Sequence, residues 1–173
     1  MITDSIIIDN FLENVDEIRE EALLLEYTKS LPDSDGWKGF RCLHGNMLTI
    51  ELEEKIKYKL TEINPKFKDC QTRCFFHYTL EENDLGEQNI HQDYGFDYAG
   101  VLYLTPNPPE NSGTSFYDNL NTEIGYLENV YNRLVIYSAN ELHSLKKPFG
   151  DNINNSRLTF TFFCKLKLKT IYE

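Results

Sequence analysis

Four histidines occur in this 173-residue chain, and three of them, His77, His91 and His143, stand in its strand-rich part from Cys70 onward. His91-Gln92-Asp93 sets an imidazole and a carboxylate two residues apart. On an extended segment, positions i and i+2 project to one face, so both groups can reach a single metal ion. A third ligand must come from another strand, and His143 in Asn140-Glu141-Leu142-His143-Ser144 is the available candidate. Two imidazoles and one carboxylate on one face of an octahedron leave three positions open. That suits Fe(II) holding a co-substrate and O2 side by side. Spacing alone does not decide the matter. With eleven Asp in the chain, spacing alone favours a hydrogen-bonded loop pair for His91 and Asp93, and His143 alone reads as a half-buried structural histidine.

Fourteen residues after His143, Arg157 opens the run Arg157-Leu158-Thr159-Phe160-Thr161-Phe162-Phe163. Strand alternation puts Arg157, Thr159 and Thr161 on one face and Leu158, Phe160 and Phe162 on the other. An Arg whose same-face neighbours carry hydroxyls is a good bidentate seat for a carboxylate; a surface ion pair is the plainer alternative. The four cysteines, Cys42, Cys70, Cys74 and Cys164, contain no Cys-x-x-Cys pair. Cys70 and Cys74 fall on one side of a strand-like segment, where buried free thiols are the stronger reading and a zinc site the weaker.

The elements that must position these groups follow from periodicity. After a β-like run at Ser5–Asp9, Asn14 and Glu17 fit a capping box, and Val15, Ile18, Ala22 and Leu25 recur at helical spacing. Leu31–Gly45 is a Gly- and Asp-marked irregular stretch holding the single tryptophan, Trp37. A second helix is expected from near Thr49, with the stripe Leu52, Ile56, Leu60 and Ile63 and with Pro65 as its stop. From Cys70 the pattern turns to strands at Cys70–Leu80, Tyr98–Thr105, Thr114–Tyr117, Arg133–Ser138 and Arg157–Leu168. The order predicts a mainly β fold with flanking α-helices and a jelly-roll core. One domain over 1–173 is expected, with helical support at about 11–64 and the β core at about 69–168.

Order and surroundings make the chemistry more specific. The succession His91-x-Asp93, His143, Arg157, each near a strand, resembles the Fe(II)- and 2-oxoglutarate-dependent dioxygenase superfamily. Val101-Leu102-Tyr103-Leu104-Thr105 is similar to the Tyr-Leu-Asn strand of its prolyl-4-hydroxylase-like branch. Gly113-Thr114-Ser115-Phe116 is similar to the branch's Gly-Gly-x-Thr-x-Phe strand, with Ser112 in the first glycine position. Phe76-His77-Tyr78 falls where the branch has the strand leading to its His-x-Asp turn. The resemblance implies a double-stranded β-helix in which His91, Asp93 and His143 hold iron. It implies that Arg157 pairs with the distal carboxylate of 2-oxoglutarate, and that Tyr103 and Tyr78 hydrogen-bond the same co-substrate. O2 is the implied oxidant, with hydroxylation coupled to decarboxylation of 2-oxoglutarate to succinate and CO2; the presence of Asp93 favours hydroxylation over halogenation. Two departures stand out. Arg157 replaces the Lys of many prolyl hydroxylases, and the gap from His143 implies an extra loop through Lys146–Ser156. The alternative from another class is a non-catalytic metal- or sugar-binding jelly-roll module.

Composition narrows the partners. Twenty-eight acidic residues against seventeen Lys and Arg leave a net charge of −11, which disfavours nucleic acid and anionic membrane surfaces. No apolar run has transmembrane length and the first residues lack a signal-peptide pattern, so a cytoplasmic protein is expected. A peptide or small-molecule substrate would meet loops at Trp37–Gly45, Leu80–Ile90 and Pro106–Ser112. Glu81, Glu82, Asp84 and Glu87 make the second loop acidic, which predicts a neutral or cationic substrate. His44 and His77 are read as structural, or else as lining the entrance. Lys165, Lys167 and Lys169 are read as a solvated strand face.

Overall fold

A computed structural model describes residues 5–30, 38–42, 45–84 and 89–167. The helices form where the apolar stripe and the capping chemistry coincide. Helix α1 (Val15–Leu23) buries Ile18 and Ala22. Its expected capping box does not form: the Asn14 amide donates to Glu17 at 3.4 Å, and no side chain caps the first turn. Helix α2 (Met47–Ile63) starts two residues before Thr49, because the Asn46 side chain accepts from the Thr49 N–H at 2.8 Å. Leu48, Leu52, Ile56 and Leu60 form its buried stripe at i, i+4 spacing. After it, Asn64 accepts from the Lys66 N–H and opens a single 3₁₀ turn at Pro65–Phe67.

Among the described residues, ten strands form two antiparallel sheets. They are β1 (Ile6–Ile8), β2 (Tyr27–Lys29), β3 (Phe40–Cys42), β4 (Gln71–Thr79), β5 (Tyr98–Tyr103), β6 (Thr114–Tyr117), β7 (Glu123–Leu127), β8 (Leu134–Ser138), β9 (Leu142–Leu145) and β10 (Arg157–Lys165). The large sheet runs β1-β8-β5-β10-β4-β3-β2 and the small one β7-β6-β9. This is the expected mainly β, double-stranded β-helix architecture with flanking helices.

Alternation on the two longest strands decides what lies on each side of the large sheet. Phe76 on β4 and Phe160 on β10 are opposite each other in the ladder and meet edge to face, ring centres 4.9 Å apart. With Leu158, Phe162 and Cys164 they are almost fully buried in the core that the helices cover. Full burial of each such aromatic contributes roughly 2–3 kcal/mol. The odd-numbered residues Arg157, Thr159, Thr161 and Phe163 face the cavity between the sheets, together with His77 and Thr79 of β4.

Several elements differ from the sequence expectation. β3 lies inside the stretch read as irregular, and β2, β7 and β9 were not anticipated. β2 and β3 are only three residues long, and such segments carry too few residues to show alternation. The His91–Asp93 segment is not part of a strand; His91 makes one isolated antiparallel bridge with His143. Cys70 precedes β4, its N–H donating to the Phe67 carbonyl at 3.3 Å. All four cysteines are free and buried. Among the described residues only His91, Asp93 and His143 gather as metal-ligating groups, so no cysteine cluster answers the zinc reading. No described helix is long and apolar enough to cross a membrane. Trp37, His44, Glu87, Leu168 and Lys169 lie outside the described residues.

Candidate functional site

Three connections bring the histidines and the aspartate together. The backbones of His91 and His143 exchange both hydrogen bonds, at 3.0 and 2.9 Å, which sets the two side chains next to each other. The Asp93 N–H donates to the Ala139 carbonyl at 2.9 Å, fixing the turn after His91. As a result, one ligand atom from each of His91, Asp93 and His143 lies within 4.8 Å of the others.

The ring orientations are set by backbone carbonyls. Nδ1–H of His91 donates to Asn89 O at 2.7 Å, and Nδ1–H of His143 donates to Glu141 O at 2.8 Å. Each bond leaves the Nε2 lone pair as the outward group, as a metal-ligating imidazole requires. The His143 Nε2 lies 3.2 Å from one Asp93 oxygen and the His91 Nε2 lies 3.6 Å from the other. Ligands held at right angles about 2.1 Å from a metal ion would lie roughly 3 Å apart, so the donor set fits one face of an octahedron. Burial, with the neighbouring His143 second, holds the His91 imidazole below its ordinary pKa and favours the neutral, ligating form. Tyr137 and Phe116 wall off the far side, with the Tyr137 ring centre 4.9 Å from that of His143.

Arg157 enters the same cavity from β10. It is 5% exposed, and its Nε–H donates to the Ser112 carbonyl at 2.8 Å. Its guanidinium carbon sits 5.3 Å from the Tyr103 ring centre. Burial pulls its pKa below the usual Arg value, and tyrosines, not carboxylates, supply the opposing influence. Among the described residues no carboxylate pairs with it. Tyr103 is fully buried, bonds through its hydroxyl to Thr114 Oγ1 at 2.9 Å, and has its pKa raised by burial.

Of the six residues expected at the site, His91, Asp93, His143 and Arg157 line one cavity, and Tyr103 touches it through Thr114 and Arg157. Tyr78 is not brought there. It stacks on Phe40 with ring centres 4.5 Å apart and packs edge-on to Tyr27, on the face of β4 opposite His77 and Thr79. The signal was already in the alternation, since Tyr78 shares a face with core-facing Phe76.

The Lys146–Ser156 insertion does not displace Arg157. It folds into a turn in which Asn152 and Asn155 cap one another around Ile153–Asn155. Gly150 adopts φ +85°, where a Cβ would meet the Asn155 carbonyl at 2.3 Å.

Sequence reading missed Arg41, Lys38 and Tyr137 as cavity residues, and Thr114 as the partner of the Tyr103 hydroxyl. His77 does line the cavity; its Nε2–H donates to the Lys38 carbonyl at 2.6 Å, and burial pushes its pKa down to about 3. Of the three loops expected at the mouth, the first supplies Lys38 and Arg41 and the second Asn83 and Asn89. The third contributes only the Ser112 carbonyl that holds Arg157. Glu81 and Glu82 are exposed and do not line the cavity, and Glu82 pairs with Lys29. Among the described acidic residues of that segment, none lines the cavity.

No protein-family model and no curated protein sequence matches the chain. Solved structures do match it, and they place its fold with the 2-oxoglutarate- and Fe(II)-dependent oxygenases, including prolyl hydroxylases. A Pseudomonas putida prolyl-4-hydroxylase superposes with a TM-score of 0.65 at 14% identity, covering 95% of this chain and 93% of its own. A prolyl hydroxylase from Trichoplax adhaerens, bound to a hypoxia inducible factor peptide fragment, gives 0.64 at 14% identity over 93% and 83% of the two chains. HygX from Streptomyces hygroscopicus, crystallised with nickel, 2-oxoglutarate and hygromycin B, gives 0.64 at 11% identity over 99% and 86%.

Proposed function

We propose that this chain is an Fe(II)- and 2-oxoglutarate-dependent dioxygenase acting as one domain, which hydroxylates a peptidyl or small-molecule substrate. The observation that carries the reading is Arg157: a buried guanidinium, without a carboxylate partner among the described residues, in the cavity that holds the His-Asp-His group. Burying an uncompensated cation costs several kcal/mol, which a dianionic 2-oxo acid in the same cavity would offset. A metal- or sugar-binding module without turnover has no use for such a cation.

In this reading His91, Asp93 and His143 hold the iron. Their Nδ1–H bonds to Asn89 and Glu141 keep both rings pre-oriented, so little reorganisation is needed on binding. Arg157 takes the distal carboxylate of 2-oxoglutarate, steadied by Ser112 and by the Tyr103–Thr114 pair beneath it. Thr159 and Thr161 line the floor, and Tyr137 keeps water from the far side of His143. When bound, Fe(II) supplies the redox chemistry by which O2 converts 2-oxoglutarate to succinate and CO2 and a substrate C–H bond to C–OH. The protein's part is to bind, orient and shield the reactants. One structural neighbour binds a peptide fragment and another hygromycin B, which supports a peptide or small molecule as the partner.

Anaerobic titration of the Fe(II)-loaded protein with 2-oxoglutarate should produce a metal-to-ligand charge-transfer band, and aerobic incubation should release succinate. His91→Ala and Asp93→Ala should abolish both signals while the folded circular-dichroism spectrum persists. Folded, iron-loaded protein that shows neither band nor succinate would refute the assignment.

A further inference from the structure

The residues that face the cavity from the large sheet form rows across its strands. At one end, Arg157 of β10 stands opposite Thr79 of β4. At the other, Phe163 of β10 lies opposite Ala99 of β5, and Ala99 lies opposite Tyr137 of β8. Tyr137 is 3% exposed and lines the cavity. Its ring is held edge to face against Phe116 and His143, with ring centres 5.0 and 4.9 Å away. Tyr137 therefore belongs to the metal-ligand end of the cavity, whereas Arg157 belongs to the far end.

The Thr159 hydroxyl donates to the His77 carbonyl at 3.1 Å, and the Tyr103 and Thr114 hydroxyls bond each other, so these three are satisfied within the protein. The Tyr137 hydroxyl makes no hydrogen bond with any described residue. Asp93 does not take it up: its two oxygens lie 3.2 and 3.6 Å from the Nε2 atoms of His143 and His91. Burial first, then Asp93 and Tyr103, raise the Tyr137 pKa well above the usual tyrosine value, and Arg157 opposes them. The phenol is thus a protonated donor at neutral pH, within electrostatic reach of both Asp93 and Arg157. A phenylalanine would fill the same space against Phe116 and His143 without burying an unsatisfied hydroxyl. An acceptor that arrives with a ligand accounts for the hydroxyl.

We infer that the Tyr137 hydroxyl donates to the carboxylate of 2-oxoglutarate next to its keto group, and so fixes how the 2-oxo acid seats on the His91–Asp93–His143 site. This rests on the oxygenase reading above and deepens it. In that reading Arg157 takes the distal carboxylate. A 2-oxo acid that grips an ion through its keto oxygen and one carboxylate oxygen leaves the second oxygen of that carboxylate as an acceptor. Tyr137 supplies the donor at that end of the cavity. Each carboxylate is then held by its own side chain, and the co-substrate is fixed at both ends.

The test compares the unaltered protein with Tyr137→Phe, which keeps the ring and deletes only the hydroxyl. Loaded with redox-inert Ni(II), the variant should bind 2-oxoglutarate roughly tenfold more weakly by calorimetry, the loss expected for one charge-assisted hydrogen bond. Loaded anaerobically with Fe(II) and saturated with 2-oxoglutarate, it should show its charge-transfer band at shorter wavelength. A donor to the 2-oxo acid lowers the acceptor orbital of that transition, and the variant lacks the donor. The urea midpoint of the ligand-free variant should not fall, since no bond within the protein is lost. A loss of affinity below about threefold would overturn the inference. A larger loss with an unmoved band, or a lowered urea midpoint, would overturn it equally, because the hydroxyl would then be structural. In each of these cases the unaltered protein still binds 2-oxoglutarate and the oxygenase reading stands. Failure of the unaltered protein to bind it would remove both.

Discussion

Replacing Arg157 by Met separates what the guanidinium does for the ligand from what it does for the fold. The side chain is 5% exposed, gives one hydrogen bond to Ser112 at 2.8 Å and lies against the Tyr103 ring. Methionine keeps an apolar stem there but loses both N–H edges. A bidentate bond to a carboxylate is two charge-assisted hydrogen bonds at roughly 1.5–3 kcal/mol each, so 2-oxoglutarate affinity should fall by about 3 kcal/mol or more, over 100-fold. The ligand-free protein loses the Ser112 bond, at about 1 kcal/mol, but is relieved of a buried cation, so it should be destabilised by no more than about 1 kcal/mol and can gain stability. Urea unfolding of the Ni(II)-loaded protein, with and without 2-oxoglutarate, reads both quantities at once. At a ligand concentration 100 times the unaltered protein's Kd, that protein gains about 2.7 kcal/mol and Arg157→Met only about 0.4. The reasoning fails if the variant retains the full ligand-dependent gain. It fails equally if the ligand-free variant is destabilised by about 3 kcal/mol, because Arg157 would then be a structural residue.

Three further outcomes are expected. Tyr78→Phe should leave 2-oxoglutarate binding within twofold of the unaltered protein, because the ring faces Phe40 away from the cavity; Tyr103→Phe should weaken it several-fold by freeing Thr114, and calorimetry distinguishes the two. Gly113→Ala would put a Cβ 2.0 Å from the Leu127 carbonyl, forcing β6 from β7 at a cost of about 3 kcal/mol or more, visible as a lower urea midpoint. His77 prefers its neutral form in the folded state, whereas the unfolded chain takes up a proton near pH 6.5. Its contribution to stability is therefore complete above about pH 6.5 and declines as pH falls towards 3. Between pH 7 and 5 the unaltered protein should lose on the order of 1 kcal/mol more than His77→Gln. Parallel pH profiles of the two would show that the imidazole is not held neutral.

The two-face pattern of Arg157–Phe163 was legible because a long strand with alternating polar and apolar residues constrains its own orientation. Leu52, Ile56 and Leu60 of the α2 stripe were legible for the same reason at helical period, whereas Ile63, at the last turn, is 48% exposed. Tyr78 shows how a resemblance can outrun local evidence: its parity with Phe76 already marked it as core-facing, yet the analogy drew it towards the co-substrate. β3 shows the reverse case. Three residues in a Gly- and Asp-marked stretch have no readable period, and Arg41 gained its position only when β3 paired with β4.

By itself, then, the sequence determined which side chains could ligate a metal ion, which residues of a long strand share a face and where the two helices lie, because these depend on residue chemistry and local periodicity. Only the tertiary structure decided that His91 and His143 exchange backbone hydrogen bonds, that Arg157 is buried beside Tyr103, and that Lys38 and Arg41 are cavity residues while Glu81 and Glu82 are not. Those facts depend on which strand edges pair and which sheet face turns inward. Such pairings are chosen by the burial of the whole core and are not encoded in any one segment.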